Sequence, residues 1–233
     1  KSCIKIFVSA NRPNIRISVC KTSKSEIFTK LNWLISMVKM KGRHTPKTLI
    51  FCNTMTDIAN VLNYLLMILG ESAYHPTSSR NACDCLIDIY HANTWSHTKE
   101  MIVSSLKNVN QSTKRIEYII NWGPSRTLLD YHQEAGRAGR DGRNAHSIIT
   151  YHGQIAAQCE RDVKVFVKSA DCLRVASLLP LDKHVVPHVS GHDCCCHCHR
   201  QCKCNCDSCT VPMPLHESEQ DVVSIVCKLV LFL

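Results

Sequence analysis

Residues 133–142 read QEAGRAGRDG and carry the most chemistry of any segment in this chain. Two arginines, Arg137 and Arg140, stand three residues apart, each directly after a glycine. Positions i and i+3 share one face of a helix, so both guanidinium groups are expected to reach toward one anion. Glycine lets a second surface approach the backbone closely, and the planar arginine fork suits phosphate oxygens. The pattern predicts arginine fingers that stabilise a transferring phosphoryl group; the alternative is a solvated basic helix end.

This run resembles motif VI of superfamily 2 helicases, in wording closest to the RecQ family of ATP-dependent DNA helicases. Four further segments resemble that family and follow its order: the link between its two RecA-like lobes (11–16), the strand and turn of motif IV (47–54), the end of the next strand (89–92) and the strand leading into motif VI (118–124). The resemblance covers roughly residues 11–209. It implies a second RecA-like lobe followed by a zinc-binding subdomain.

The resemblance also implies a nucleotide held between two lobes. Arg137 and Arg140 then act on its γ-phosphate from across the cleft, Gln133 couples nucleotide state to lobe position, and Gly136 and Gly139 belong to the same nucleotide-binding segment. The sequence contains neither G-x-x-x-x-G-K-[ST] nor Asp-Glu-x-His, which hold the phosphates and Mg²⁺ in such enzymes. We therefore expect ATP and Mg²⁺ to bind only together with a first lobe, and this chain alone to be inactive.

A second element of the family is missing from the sequence. RecQ-type proteins carry a strand and a Gly-Asp-containing loop, motif V, just before the strand that begins here near Tyr118. In this chain residues 106–116 run directly into that strand without such a loop. We expect the sheet to lose one strand and part of its core.

Eight of the 16 cysteines lie within residues 194–209, at spacings that favour metal ligation over a disulfide framework. Structural zinc takes four tetrahedral Cys or His ligands, and its binding can fold a segment with few large apolar residues. By resemblance to the family, the predicted zinc ligands are Cys172, Cys194, Cys195 and Cys198. His192 or Cys196 could replace one of them.

A second group of thiols follows directly. A second zinc site is predicted at Cys202, Cys204, Cys206 and Cys209. The alternative is a loose, partly unligated run.

The fold class predicted from the pattern is α/β. Strands are expected at 48–52, 85–90, 117–122 and 146–151, and helices at 27–42, 54–70, 96–106, 128–137 and 155–168. Strands that alternate with helices imply a parallel sheet with helices on both faces. The expected units are an interlobe linker (1–20), the RecA-like lobe (21–153), a small helical, cysteine-rich zinc-binding subdomain (154–212) and a poorly ordered tail (213–233).

DNA is the expected partner, because the net charge of +9 suits a polyanion and superfamily 2 lobes grip one strand through its phosphates. The candidate contacts follow predicted strands or turns: Asn53, Thr54, Trp95, Ser96 and Arg126. Each of them also suits a plain cap or turn residue. Such contacts are insensitive to base sequence and weaken as salt rises.

The function that the resemblance implies is ATP-dependent 3′–5′ DNA unwinding, in repair or recombination. Its main rival is a non-catalytic, zinc-stabilised relic that binds nucleic acid or protein; the α/β pattern argues against a mere cysteine-rich metal buffer. A nuclear location is expected from the family and the thiol usage. No signal peptide is visible, and the apolar residues 222–233 fall short of the ~20 that a membrane helix needs.

Overall fold

The computed structural model describes residues 10–107, 115–183, 185, 194–202, 214–215 and 229–232. The strands are β1 (Ile15–Lys21), β2 (Lys47–Cys52), β3 (Ile87–Tyr90), β4 (Ile116–Trp122), β5 (Ala145–Tyr151) and β6 (Leu229–Phe232). The α-helices are α1 (Asn32–Lys41), α2 (Met55–Leu69), α3 (Ser96–Lys107), α4 (Leu128–Ala135), α5 (Gly153–Ala156), α6 (Arg161–Lys168), α7 (Leu173–Leu178) and α8 (Cys196–Gln201).

The strands form one sheet in the order β1-β5-β4-β2-β6-β3, and every pairing in it is parallel. The central strands are buried over most of their length, and β5 is buried at all seven positions, its polar residues His146, Ser147 and Thr150 included. Such runs are typical of parallel strands covered on both faces, since every residue then meets a helix layer. The α/β prediction is confirmed.

Helices cover both faces of the sheet, as predicted. On one face α2 places Ile58, Val61 and Leu65 at helical spacing, and they share a buried cluster with Ile50 and Ile120. On the other face, Tyr131 of α4 and Phe166 of α6 belong to a second cluster with Ile149. Because successive side chains of a strand point to opposite faces, neighbouring residues such as Ile119 and Ile120 enter different clusters.

The expected loss of a strand does not occur. β6, from the tail we expected to be poorly ordered, lies between β2 and β3 and pairs with both, so that Leu229 is in register with Thr48 and with Ile87. Without it, β2 and β3 would face each other across a strand-wide gap with unpaired backbone groups, which are costly when buried. A segment from the far end of the chain therefore completes the sheet.

The expected linker also differs from the structure, because residues 15–21 form the edge strand β1 on β5. The cysteine-rich region packs on this part of the sheet. Ile17 donates its N–H to the carbonyl of Cys194 over 3.3 Å, and Cys195 and Cys196 share the buried cluster of Tyr131 and Phe166. The helix predicted at 155–168 is broken into α5 and α6. The cysteine-rich region thus shares a core with the lobe.

Candidate functional site

The arginines of residues 133–142 lie in a turn, not on a helix. Thr127 caps α4 by accepting a hydrogen bond from the N–H of Asp130 over 3.0 Å, and the helix ends at Ala135. Gly139 has a positive φ of 53°, which breaks the helical path between Arg137 and Arg140. The expectation that an i, i+3 helix face aligns the two arginines is therefore wrong.

The turn is anchored from below by Ala138, which is fully buried with Leu49, Ile119 and Ala145 against the sheet. The N–H of Gly139 donates to the carbonyl of Ile116, the first residue of β4, over 3.0 Å. The turn backbone therefore lies near the amino ends of β4 and β5. It lies there because α4 carries the chain back along the sheet after β4 ends.

Two side chains from the segment before β1 hold the turn from the outside. Arg12 donates to the carbonyls of Gly136, Ala138 and Gly139 over 3.4, 3.3 and 2.8 Å. Asn14 donates to the carbonyl of Gly139 over 2.8 Å. The close approach that the glycines were expected to allow is thus made, at least in part, by the chain's own segment 11–14.

The predicted nucleotide-facing side chains, Gln133, Arg137 and Arg140, are exposed. The guanidinium carbon of Arg137 lies 5.9 Å from the ring centroid of Phe51, near the end of β2. An arginine over an aromatic face is attracted by the ring quadrupole, which favours one orientation of a long side chain. A rigid turn therefore presents two solvent-facing cations.

Glu134 is a residue that the sequence did not single out. Its carboxylate accepts hydrogen bonds from Asn121 Nδ2 over 2.6 Å and from Ser125 Oγ over 2.5 Å. Burial raises the pKa of Glu134, against the lowering effect of these two donors. It ties α4 to the loop after β4. An acidic residue on a short polar helix is ordinarily solvated, so no local signal marks it.

The predicted nucleic-acid contacts follow the carboxyl ends of β2, β3 and β4. Asn53 donates to the carbonyl of Pro124 over 3.0 Å and so joins two strand ends, while Thr54 caps α2 by accepting from Asp57 N–H over 3.0 Å. Ser96 is the first residue of α3 and is exposed, as is Arg126. Trp95 is 84% exposed. Parallel strands thus bring all five to one edge, two of them in structural contacts.

The four cysteines predicted to ligate zinc converge. The sulfurs of Cys172, Cys194, Cys195 and Cys198 all lie within 4.8 Å of one another. Cys172 and Cys194 sulfurs are 3.2 Å apart, and those of Cys195 and Cys198 are 3.6 Å apart. These are not disulfides, which need about 2.05 Å. A tetrahedron with Zn–S bonds of about 2.3 Å has edges of about 3.8 Å, so the donor set fits such an ion.

The elements around the cluster explain its compactness. Cys172 and Cys195 occupy the N-cap positions of α7 and α8, so the starts of two helices meet over β1. Burial, followed by the charge of Cys195, raises the pKa of the Cys198 thiol to about 12. Metal binding would therefore release protons.

The structure describes only some of the alternative and additional ligands that the sequence predicted. Cys196 is buried beside the cluster without belonging to the four. His192 lies outside the described residues, as does the predicted second site except Cys202.

Arg174 is the second residue that the sequence did not single out as functional. It is only 2% exposed and lies on α7 beside the cysteines. Its Nε donates to Cys194 Sγ over 3.2 Å, and one terminal nitrogen donates to the carbonyl of Ile15 over 2.6 Å.

Within the described residues, no helix is long and apolar enough to cross a membrane.

No family model matches the chain. In sequence it is similar to the ATP-dependent DNA helicase hus2/rqh1 of Schizosaccharomyces pombe, at 27% identity over 164 residues. It is also similar to the ATP-dependent DNA helicase Q1 of Mus musculus, at 28% identity over 157 residues. The alignments cover 65% and 64% of this chain but only 11% and 22% of these relatives.

Among solved structures, S. cerevisiae Dbp5 bound to RNA and ADP BeF3 aligns with a TM-score of 0.45 at 12% identity, covering 66% of this chain and 39% of that one. The Mss116p DEAD-box helicase domain 2 bound to an RNA duplex aligns with a TM-score of 0.42 at 14% identity, covering 66% and 68%. In sequence the chain is therefore similar to a segment of RecQ-type DNA helicases, and the order of its motifs on a parallel α/β sheet agrees with that similarity.

Proposed function

We propose that the chain supplies the second motor lobe of an ATP-dependent 3′–5′ DNA helicase of RecQ type. The observation that carries this proposal is the anchored turn. Its backbone is fixed by Ala138, Gly139 and Arg12, while Arg137 and Arg140 face solvent. Groups that stabilise a developing charge act best when they are held in place before the reaction.

In this function a first lobe would hold ATP and Mg²⁺, and the ion would supply charge neutralisation for the phosphates. Arg137 and Arg140 bind γ-phosphate oxygens from across the cleft. Gln133, one turn earlier on α4, contacts the nucleotide and transmits its state to the lobe. Glu134 holds α4 on the loop after β4, so a displacement of the turn is passed to the sheet edge that carries the candidate DNA contacts.

DNA is the proposed partner at the carboxyl edge of the sheet. Arg126 and Ser96 offer phosphate contacts, and the exposed ring of Trp95 offers a stacking surface for one base. Asn53 and Thr54 would contact the DNA backbone at the N-terminal end of α2. Binding is expected to be independent of base sequence and to weaken as salt rises. A nuclear location follows from this role.

Zinc is the proposed ion of the four-cysteine cluster. Four protein ligands leave no open position, which is the arrangement of structural and not catalytic zinc. Cys172, Cys194, Cys195 and Cys198 would hold it and fasten α7 and α8 to β1. A second zinc at Cys202, Cys204, Cys206 and Cys209 remains part of the proposal.

The test pairs this chain with a first lobe of a RecQ-type helicase and measures ATP hydrolysis with single-stranded DNA. Arg137→Ala and Arg140→Ala are each expected to lower kcat by about 10³-fold, the lower end for an arginine finger. Arg143→Ala is the matched control, because Arg143 lies in the same loop, is exposed and pairs with Asp141 instead. Unchanged turnover in the Arg137 and Arg140 variants would exclude the finger role.

A second candidate is a non-catalytic, zinc-stabilised module that binds nucleic acid or protein. It is favoured by residues 106–116, which run directly into β4 without the Gly-Asp-containing loop of motif V. Under this candidate the paired lobes bind DNA and the chain retains metal, but ATP turnover stays at the level of the first lobe alone.

A further inference from the structure

We propose that the metal cluster and the arginine-bearing turn are coupled through two buried or half-buried arginines, Arg174 and Arg12. The coupling itself is independent of catalysis, although its consequence for ATP rests on the function proposed above. Occupancy of the cysteine site would then set how firmly Arg137 and Arg140 are held.

The first half of the route is Arg174. Besides Cys194 Sγ, it donates to Asn11 Oδ1 over 2.9 Å and to the carbonyl of Arg12 over 2.8 Å. It therefore contacts a predicted metal ligand and the segment before β1 at once. Thiolates that ligate a metal carry negative charge, and Arg174 is a cation within hydrogen-bond distance of one of them. Hydrogen bonds of this kind are stronger than neutral ones and hold a buried guanidinium in one orientation.

The second half of the route is Arg12. Its carbonyl accepts the hydrogen bond from Arg174. Its guanidinium donates to three successive parts of the turn, the carbonyls of Gly136, Ala138 and Gly139. The carbonyl of Arg12 is thus hydrogen-bonded to the arginine beside the cysteine cluster, and its side chain is hydrogen-bonded to the turn. Gly139 of the turn and Cys172, the first cysteine of the cluster, lie more than 30 residues apart in the sequence, on either side of α5 and α6.

A direct contact between α4 and α7 offers a second connection between the turn and the cysteine cluster. His132 Nε2 lies 3.0 Å from the carbonyl of Ser177, so α4 and α7 also touch directly. A cavity of about 30 Å³ is bordered by Arg12, His132 and Arg174 together. A test therefore has to change Arg12 alone, leaving α7, His132 and the cysteines in place.

The experiment measures hydrogen exchange of the Ala138 and Gly139 amides in the full chain, with zinc bound and after chelation. Arg12→Met removes the guanidinium and keeps the stem; Arg143→Met is the control in the same loop. With zinc bound, Arg12→Met is expected to raise exchange of these amides about tenfold or more, since the three hydrogen bonds from the guanidinium to the turn are lost. Zinc content should stay unchanged in both variants.

Chelation should raise exchange of the same amides in the unaltered chain and in Arg143→Met, but add little in Arg12→Met, because the route is already cut. This non-additivity is the signature of coupling. Additive effects in Arg12→Met, or turn amides that ignore chelation while α8 loosens, would overturn the proposal.

Exchange at the amides of Val61 and Leu65 in α2 shows whether chelation unfolds the whole chain. If it does, the proposal is tested instead by Arg174→Met with zinc bound. That variant must raise exchange at Ala138 and Gly139, and a change of less than twofold would overturn the coupling. Since the readout is exchange and not ATP turnover, failure of the finger role leaves this result standing, and the reverse also holds.

Discussion

Replacing Gly139 with alanine tests how tightly the arginine-bearing turn is built. Gly139 has φ +53°, and a Cβ added there would lie 2.5 Å from Asn14 Nδ2, 2.8 Å from the carbonyl oxygen of Arg143 and 3.1 Å from Ala145 Cβ. The Asn14 side chain can move, but only by giving up its hydrogen bonds to Gly139 and Arg143. The Arg143 oxygen belongs to the backbone, so relieving that contact must shift the loop.

Two costs add in this substitution. A positive φ costs an L-residue about 1–2 kcal/mol, and overpacking a filled site costs about 1–3 kcal/mol. Gly139→Ala is therefore expected to lower the free energy of unfolding by about 2–5 kcal/mol. Gly142→Ala is the matched control, since Gly142 has φ +82° in the same loop but nothing within 4 Å of an added Cβ. Its cost should be the backbone part alone, about 1–2 kcal/mol.

Urea unfolding followed by circular dichroism, with zinc held in excess, measures both variants. A background of Asn14→Ala should recover part of the Gly139→Ala penalty, because it removes the 2.5 Å contact and leaves the one at 2.8 Å. If Gly139→Ala and Gly142→Ala cost the same within about 0.5 kcal/mol, the steric reasoning is refuted. The turn would then be free to open away from the segment 11–14.

Three further predictions concern pH, the metal and the tail. Burial, followed by the charges of Arg16 and Arg115, lowers the pKa of His146 from its ordinary 6.5 to about 3. Between these two pH values the unfolded chain binds a proton at this side chain and the folded chain does not. The stability that is present above pH 6.5 is therefore lost as pH falls toward 3. His146→Phe should reduce the loss in unfolding free energy between pH 7 and 5 by about 2 kcal/mol, and an unchanged pH dependence in urea titrations contradicts this. Cys198→Ser should lower zinc content measured by mass spectrometry, whereas Cys196→Ser, buried beside the cluster, should keep it; equal losses would disprove the ligand assignment. Leu231→Pro removes a ladder N–H from a strand with neighbours on both sides and should cost about 3 kcal/mol in thermal or urea unfolding, while an unaffected stability would mean that β6 does not complete the sheet.

The sequence alone was sufficient for the parallel α/β layout, because its apolar strands and amphipathic helices alternate and short connections leave few other arrangements. The spacing of the thiols indicated a metal site, but the choice of Cys172, Cys194, Cys195 and Cys198 came from the resemblance to the RecQ family, with His192 or Cys196 left open as a replacement. The cap at Thr54 and the helix stop at Gly42 are likewise local features: each depends on bonds or backbone angles within a few residues.

Other features depended on contacts between distant segments, which local spacing does not encode. The sequence suggested that Arg137 and Arg140 share a helix face, but Gly139 turns the chain because Arg12 and Asn14, more than 120 residues earlier, bind its carbonyl. Glu134 and Arg174 are ordinary helix residues until the fold buries each among partners from other elements.

The tail is the sharpest contrast between the two levels. Four apolar residues near the end of a chain predict nothing by themselves, yet the gap between β2 and β3 gives Leu229–Phe232 a ladder on each side. What the sequence determined was therefore the set of elements and the chemistry they carry, because hydrophobic period, capping and ligand spacing act over a few residues. The tertiary structure decided which distant backbone groups meet, because buried N–H and C=O groups must all find partners, wherever along the chain those partners lie.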